Sequence, residues 1–96
     1  MNPYEVMFIL RPDLEEEAMT GAIDKVAKII TDQGGTVDKT DKWGKRKLAY
    51  EIKGYQEGIY VLTGFQGTPQ VARELDRVLK ISDEVLRGLI VRRDEP

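Results

Sequence analysis

The chain is 96 residues long, 41% hydrophobic and 33% charged, with a formal net charge of −2. This size and balance predict one soluble domain over residues 1–96, built on a single core. No apolar run approaches the roughly 18–20 residues that cross a bilayer, and histidine and cysteine are both absent, so imidazole bases, thiol nucleophiles, disulfides and the usual nitrogen or sulfur metal ligands are all excluded. A cysteine-free chain fits the cytosol. Met1-Asn2-Pro3-Tyr4-Glu5 has no basic stretch leading into an apolar one, so no secretory signal is expected.

In chain order, Tyr4, Val6, Phe8 and Leu10 alternate with Glu5, Met7 and Ile9, which predicts a central strand. Glu5 marks the second face as the less suitable one for a core, so the Tyr4 face is expected to meet helices. Arg11-Pro12 ends the strand. Asp13 with Glu16 three residues on reads as a capping box, and Glu15 and Glu17 suit the positive end of a helix. Met19, Ile23, Val26 and Ile30 form that helix's apolar stripe, and Gly34-Gly35 stops it. Thr36 to Lys53 reads as a long strand, interrupted at Trp43-Gly44, where an internal glycine marks a bulge or bend.

Gly54 to Gly58 is read as a turn. Ile59, Val61, Thr63 and Phe65 then alternate with Tyr60, Leu62 and Gly64 in a third strand. Thr68 followed by Pro69 opens a second helix, with Val71, Leu75, Val78 and Leu79 as its buried stripe. Val85 to Val91 reads as the last strand, and residues 92–96 as a short polar tail. The order β-α-β-β-α-β predicts an α+β, ferredoxin-like sandwich, a four-stranded antiparallel sheet with both helices on one face.

Charge is unevenly spread. Residues 1–35 carry three basic and seven acidic groups, residues 36–53 six and three, and residues 54–96 six and seven. A local basic stripe binds phosphate despite an acidic average, because screening confines each contact to about 8–10 Å. The stripe centres on Gly44-Lys45-Arg46-Lys47-Leu48-Ala49-Tyr50-Glu51-Ile52-Lys53, where cations run into an alternating strand. Leu48, Tyr50 and Ile52 lie to one side of it, and Lys47, Ala49, Glu51 and Lys53 to the other. Lys42, Lys45, Arg46, Lys47 and Lys53 are therefore candidate phosphate contacts, with Arg92 and Arg93 as a lesser group and Arg87 as a weaker candidate. Trp43 and Tyr50 are suited either to stacking on RNA or to anchoring the strand. Taken alone, the cluster reads equally well as a solvated hairpin arm.

Other chemistry is scarce. Ser82 is the only serine and has no base near it. Asn2 is the only asparagine, which leaves an acylphosphatase-like site without its amide. Glu15, Glu16 and Glu17 read as first-turn residues rather than a carboxylate site. An RNA-recognition motif would place aromatic rings on the two central strands. Here only Tyr60 stands on the open face, beside Met7, Ile9 and Leu62. With Leu89 and Val91 these make an apolar group that suits a protein partner better than bases.

The central ten residues resemble the signature of the bacterial small-subunit (30S) ribosomal protein six family: glycine, basic residues, then Leu-Ala-Tyr-x-Ile, with Lys47 its loosest position. Tyr4-Glu5-Val6 running to Arg11-Pro12 is similar to that family's first strand, and Leu89-Ile90-Val91-Arg92 to its last, while Asn2-Pro3 stands where many relatives carry basic residues. The resemblance implies a non-enzymatic, cytoplasmic ribosomal protein without cofactor, metal, membrane or small-molecule substrate. It also implies binding to the central domain of small-subunit ribosomal RNA together with ribosomal protein eighteen, in building the subunit platform. A ferredoxin-like ligand-sensing regulatory module and a protein-interaction domain are the alternatives.

Overall fold

A computed structural model describes residues 1–93. Strand β1 (Asn2–Leu10) is followed by α1 (Glu16–Asp32), β2 (Thr36–Ile52), β3 (Tyr55–Gly67), α2 (Pro69–Ile81) and β4 (Val85–Arg92). The sheet order is β2-β3-β1-β4, and every neighbouring pair is antiparallel. This is the expected ferredoxin-like α+β architecture, with β1 inside the sheet and β2 at an edge.

Alternation along β1 sends Val6, Phe8 and Leu10 into one core with Ile59, Val61 and Phe65 of β3. Onto this face pack Ala22, Val26 and Ile30 of α1 and Val71, Leu75 and Leu79 of α2. Phe8 and Phe65 are fully buried, and the Tyr4 ring stacks on Phe65 at 5.4 Å between centroids. Each such side chain contributes about 1.5–3 kcal/mol when withdrawn from water. The Tyr4 face therefore meets the helices, as its partner face carrying Glu5 suggested.

Several local expectations are corrected. The Asp13–Glu16 capping box does not form. Asp13 instead takes two hydrogen bonds from the Arg11 guanidinium, at 2.9 and 3.1 Å, and Glu15 occupies the N-cap position without a side-chain cap bond. On α1 the deepest positions are Ala22, Val26 and Ile30, four residues apart, while Met19 and Ile23 flank them half-buried. Val78 of α2 likewise sits beside the buried row rather than in it. The end of α1 is as read: Gly34 has φ +88°, and the Gly35 amide donates to the Ile30 carbonyl at 2.8 Å, a Schellman closure.

The β2–β3 turn is tighter than the Gly54–Gly58 reading. Ile52 pairs with Tyr55, and only Lys53 and Gly54 intervene, with φ +51° and +85°. Two positive φ values suit a two-residue hairpin turn, whose twist matches the flanking strands. Gly58 lies instead within β3, opposite Arg46. At the far end, Arg92 belongs to β4 and the Arg93 amide donates to the Pro3 carbonyl at 2.8 Å. The tail read over 92–96 thus loses its first two residues to ordered structure, and residues 94–96 lie outside the described residues.

Candidate nucleic-acid interface

The basic stretch occupies the outer strand of the sheet, and the bulge read at Trp43-Gly44 is present. Lys42 pairs with Val61 and Gly44 with Tyr60, so Trp43 is left without a cross-strand partner. Gly44 has φ +89°, which favours glycine at this bend. Lys45, Arg46 and Lys47 follow, opposite Ile59, Gly58 and Glu57, and all three are exposed.

Cross-strand partners share a face, so the register divides the cations. Lys42 and Lys45 stand opposite the core residues Val61 and Ile59, on the helix side of the edge. Lys42 reaches Glu16 at the start of α1, with Nζ 3.5 Å from Oε1. Arg46 stands opposite Gly58, on the other side, and its guanidinium lies over the Trp43 ring at 5.9 Å from the centroid. Among the described residues, neither Lys45 nor Lys47 makes an ion pair. The Lys42–Glu16 pair, 26 positions apart, had no local sequence signal.

Beyond Lys47 the ladder breaks until Ile52, and the hairpin tip folds over the open sheet face. Leu48 packs there with Ile9 and Leu86. Leu86 reaches this side because a bulge in β4 lets Leu10 pair with Val85 and Ile9 with Arg87. Tyr50 is exposed, and its hydroxyl accepts a hydrogen bond from Arg87 across the face. Lys53 donates from Nζ to the Val85 carbonyl at 3.3 Å. Leu48 is therefore the apolar anchor of the basic strand, whereas Tyr50 anchors through its hydroxyl, and Lys53 is tied back to β4.

This tip also corrects the expected apolar surface. Ile9 is 8% exposed and forms part of a small second core. Met7, Tyr60 and Leu62 are half-buried, while Leu89 and Val91 are 61% and 42% exposed. A depression of about 260 Å³ lies between tip and sheet, lined among others by Met7, Tyr60, Arg87 and Leu89.

Arg92 and Arg93 belong elsewhere. Arg92 pairs with Tyr4 in the register, whereas Ile59, opposite Lys45, pairs with Leu10. Six steps along β1 separate them, roughly 20 Å at about 3.3 Å per residue. Arg92 donates to Asn2 Oδ1 at 3.0 Å, and Arg93 to Glu5 Oε1 at 2.6 Å. The cations thus form a β2 group and a terminal group at opposite ends of the sheet.

No group of three or more acidic residues suited to a metal is present among the described residues, and no helix there is long and apolar enough to cross a membrane. Fold and surface together define a ferredoxin-like α+β protein whose most distinctive feature is a long cationic edge hairpin. The ribosomal protein S6 family model matches residues 3–92. The chain is 58% identical over 95 residues to small ribosomal subunit protein bS6 of Moorella thermoacetica, covering 99% of this chain and 97% of that one. It is 54% identical to the bS6 of Heliobacterium modesticaldum, with 99% of each covered. The crystal structure of 30S ribosomal protein S6 from Thermotoga maritima superposes with a TM-score of 0.90 at 36% identity, covering 96% of this chain and 87% of that one.

The chain belongs to the ribosomal protein S6 family. It is a structural protein of the small ribosomal subunit, a component of the ribosome in the cytoplasm, and not an enzyme. The C-terminal domain of the MgtC protein from Mycobacterium tuberculosis shares the fold alone, with a TM-score of 0.68 at 17% identity.

Proposed function

We propose that the chain binds the central domain of small-subunit ribosomal RNA jointly with ribosomal protein eighteen, in assembling the subunit platform. The observation that supports this most is the edge position of β2, with Lys45, Arg46 and Lys47 exposed along it and the two lysines unpaired among the described residues. Exposed cations that need break no internal ion pair exchange water and counterions for phosphate at little cost. Lys42 and Lys53 extend the group in a supporting role, since each already has an internal partner. Arg92 and Arg93 are a second, distant phosphate group.

The protein partner takes the open face beside the hairpin tip. Leu89 and Val91, next to half-buried Met7, Tyr60 and Leu62, form an apolar group that a partner desolvates, with Arg87 at its margin. A basic partner seated there lengthens the positive surface, so each ligand strengthens the other's binding. The experiment is a binding titration of a central-domain RNA fragment with this protein, with and without ribosomal protein eighteen. Wild type is expected to bind more tightly with the partner present, and folded Leu89→Glu to lose that gain while keeping its own affinity for RNA. No gain with the partner contradicts the joint reading, and an equal gain for wild type and Leu89→Glu contradicts the open-face placement of the partner. Ile9→Glu is unsuitable, because it buries a charge in the second core.

A further inference from the structure

Trp43 is the only tryptophan of the chain. It is 46% exposed and belongs to neither apolar cluster, so it does not serve the core. The Gly44 bulge removes it from the ladder, leaving it without a cross-strand partner. Among the described residues its one aromatic or cationic contact is the Arg46 guanidinium, over the ring at 5.9 Å. Lys42 precedes it, and Lys45 and Lys47 follow within four residues.

An exposed indole costs free energy in water, and a guanidinium over one part of the ring holds it while 46% of the residue stays exposed. The combination offers a flat π surface inside a positive field. Single-stranded nucleic acid matches both halves: an unstacked base lies on the ring while its phosphates meet the neighbouring cations. A protein side chain would match only the apolar half and would have to approach through the cations. From this juxtaposition we infer that Trp43 and Arg46 form a stacking site for one unpaired nucleobase of the bound RNA. The inference rests on the RNA-binding reading above and adds to it a single-stranded element at the β2 bulge.

Because the ring is unique, its fluorescence reports the site directly. Binding of the central-domain RNA fragment is expected to quench it, whereas inorganic polyphosphate, which carries charge without bases, is expected to bind without comparable quenching. Trp43→Ala and Trp43→Leu should each weaken RNA binding about 5–150-fold, the loss of one base–aromatic stack, with an unchanged salt dependence. Trp43→Phe should retain part of the affinity. Full affinity in Trp43→Leu, equal quenching by polyphosphate, or quenching by the protein partner but not by RNA would each overturn the stacking site. The RNA-binding reading is separately decided by Lys45→Glu/Arg46→Glu. If that variant loses RNA while Trp43→Leu keeps it, stacking alone is refuted.

Discussion

Gly44 and Gly58 face each other's strands around the basic segment, and their glycine requirement has different origins. At Gly44 a Cβ would meet nothing within 4 Å, but φ is +89°. At Gly58 the backbone is ordinary, but a Cβ would lie 2.3 Å from Ile9 Cγ2. Gly44→Ala is expected to cost about 1–2 kcal/mol through the left-handed backbone alone, and Gly58→Ala about 1–3 kcal/mol through overpacking. Urea denaturation measures both. Additional truncation of Ile9 to Ala should relieve the second variant and leave the first unimproved; relief of both, or of neither, contradicts the assignment. The Gly44 bend was legible in the sequence, because glycine inside an alternating run of cations signals a bulge. Gly58 has the look of a turn residue in the sequence, since its reason is the Ile9 side chain, 49 positions away on β1. The basic residues were legible as a cluster, but not their division between the two sides of β2. That division depends on the bulge's register and on where Glu16 comes to lie.

At the scale of elements, the two helices and four strands followed from periodicity, because each buries one apolar row against the same core. The hairpin tip did not. Its fold-back rests on Leu48 meeting Ile9 and Leu86, and on Arg87–Tyr50 and Lys53–Val85 hydrogen bonds, all distant in sequence. Leu86 itself faces the tip only through the β4 bulge, which strict alternation does not anticipate. This second core is small and separate from the main one, so it should open independently. Leu48→Ala is expected to raise amide hydrogen exchange over residues 47–55 while leaving the protected amides of β1 and β3 near their wild-type rates in the local-opening regime. A uniform rise across the sheet would contradict an independent tip. The α1 start likewise departs from the capping-box expectation, because the Asp13 carboxylate is committed to Arg11 rather than to the helix.

Across the whole molecule, charge sets the response to pH and salt. Without histidine, no side chain ordinarily titrates between about pH 5.5 and 8. Hydrogen bonding from Arg11 holds the Asp13 carboxyl below its usual value, and hydrogen bonding from Arg77 does the same for Glu74. A carboxyl lowered by folding contributes stability above its unfolded pKa and loses it as pH falls through the folded one. The melting temperature is therefore expected to be flat from about pH 5.5 to 8 and to fall below about pH 4.5, with a shallower acid limb in Asp13→Asn/Glu74→Gln. An acid limb of unchanged steepness would remove these two pairs as its source.

The small-subunit family is legible because its signature lies in one continuous strand, and the ferredoxin-like fold because the periodic elements follow in the order β-α-β-β-α-β. The proposed RNA-binding cations are not one patch, because Arg92 and Arg93 bond to residues at the start of β1, about 20 Å along the strand direction from Lys45. The most direct measurement is the affinity for a central-domain RNA fragment against salt concentration, for wild type and Lys45→Glu/Arg46→Glu. Each phosphate contact releases about 0.7–0.9 counterion, so the variant should bind far more weakly, with a log–log slope shallower by about one to two. Equal affinity and equal slope would mean that the β2 cations are a solvated arm and that the RNA lies elsewhere.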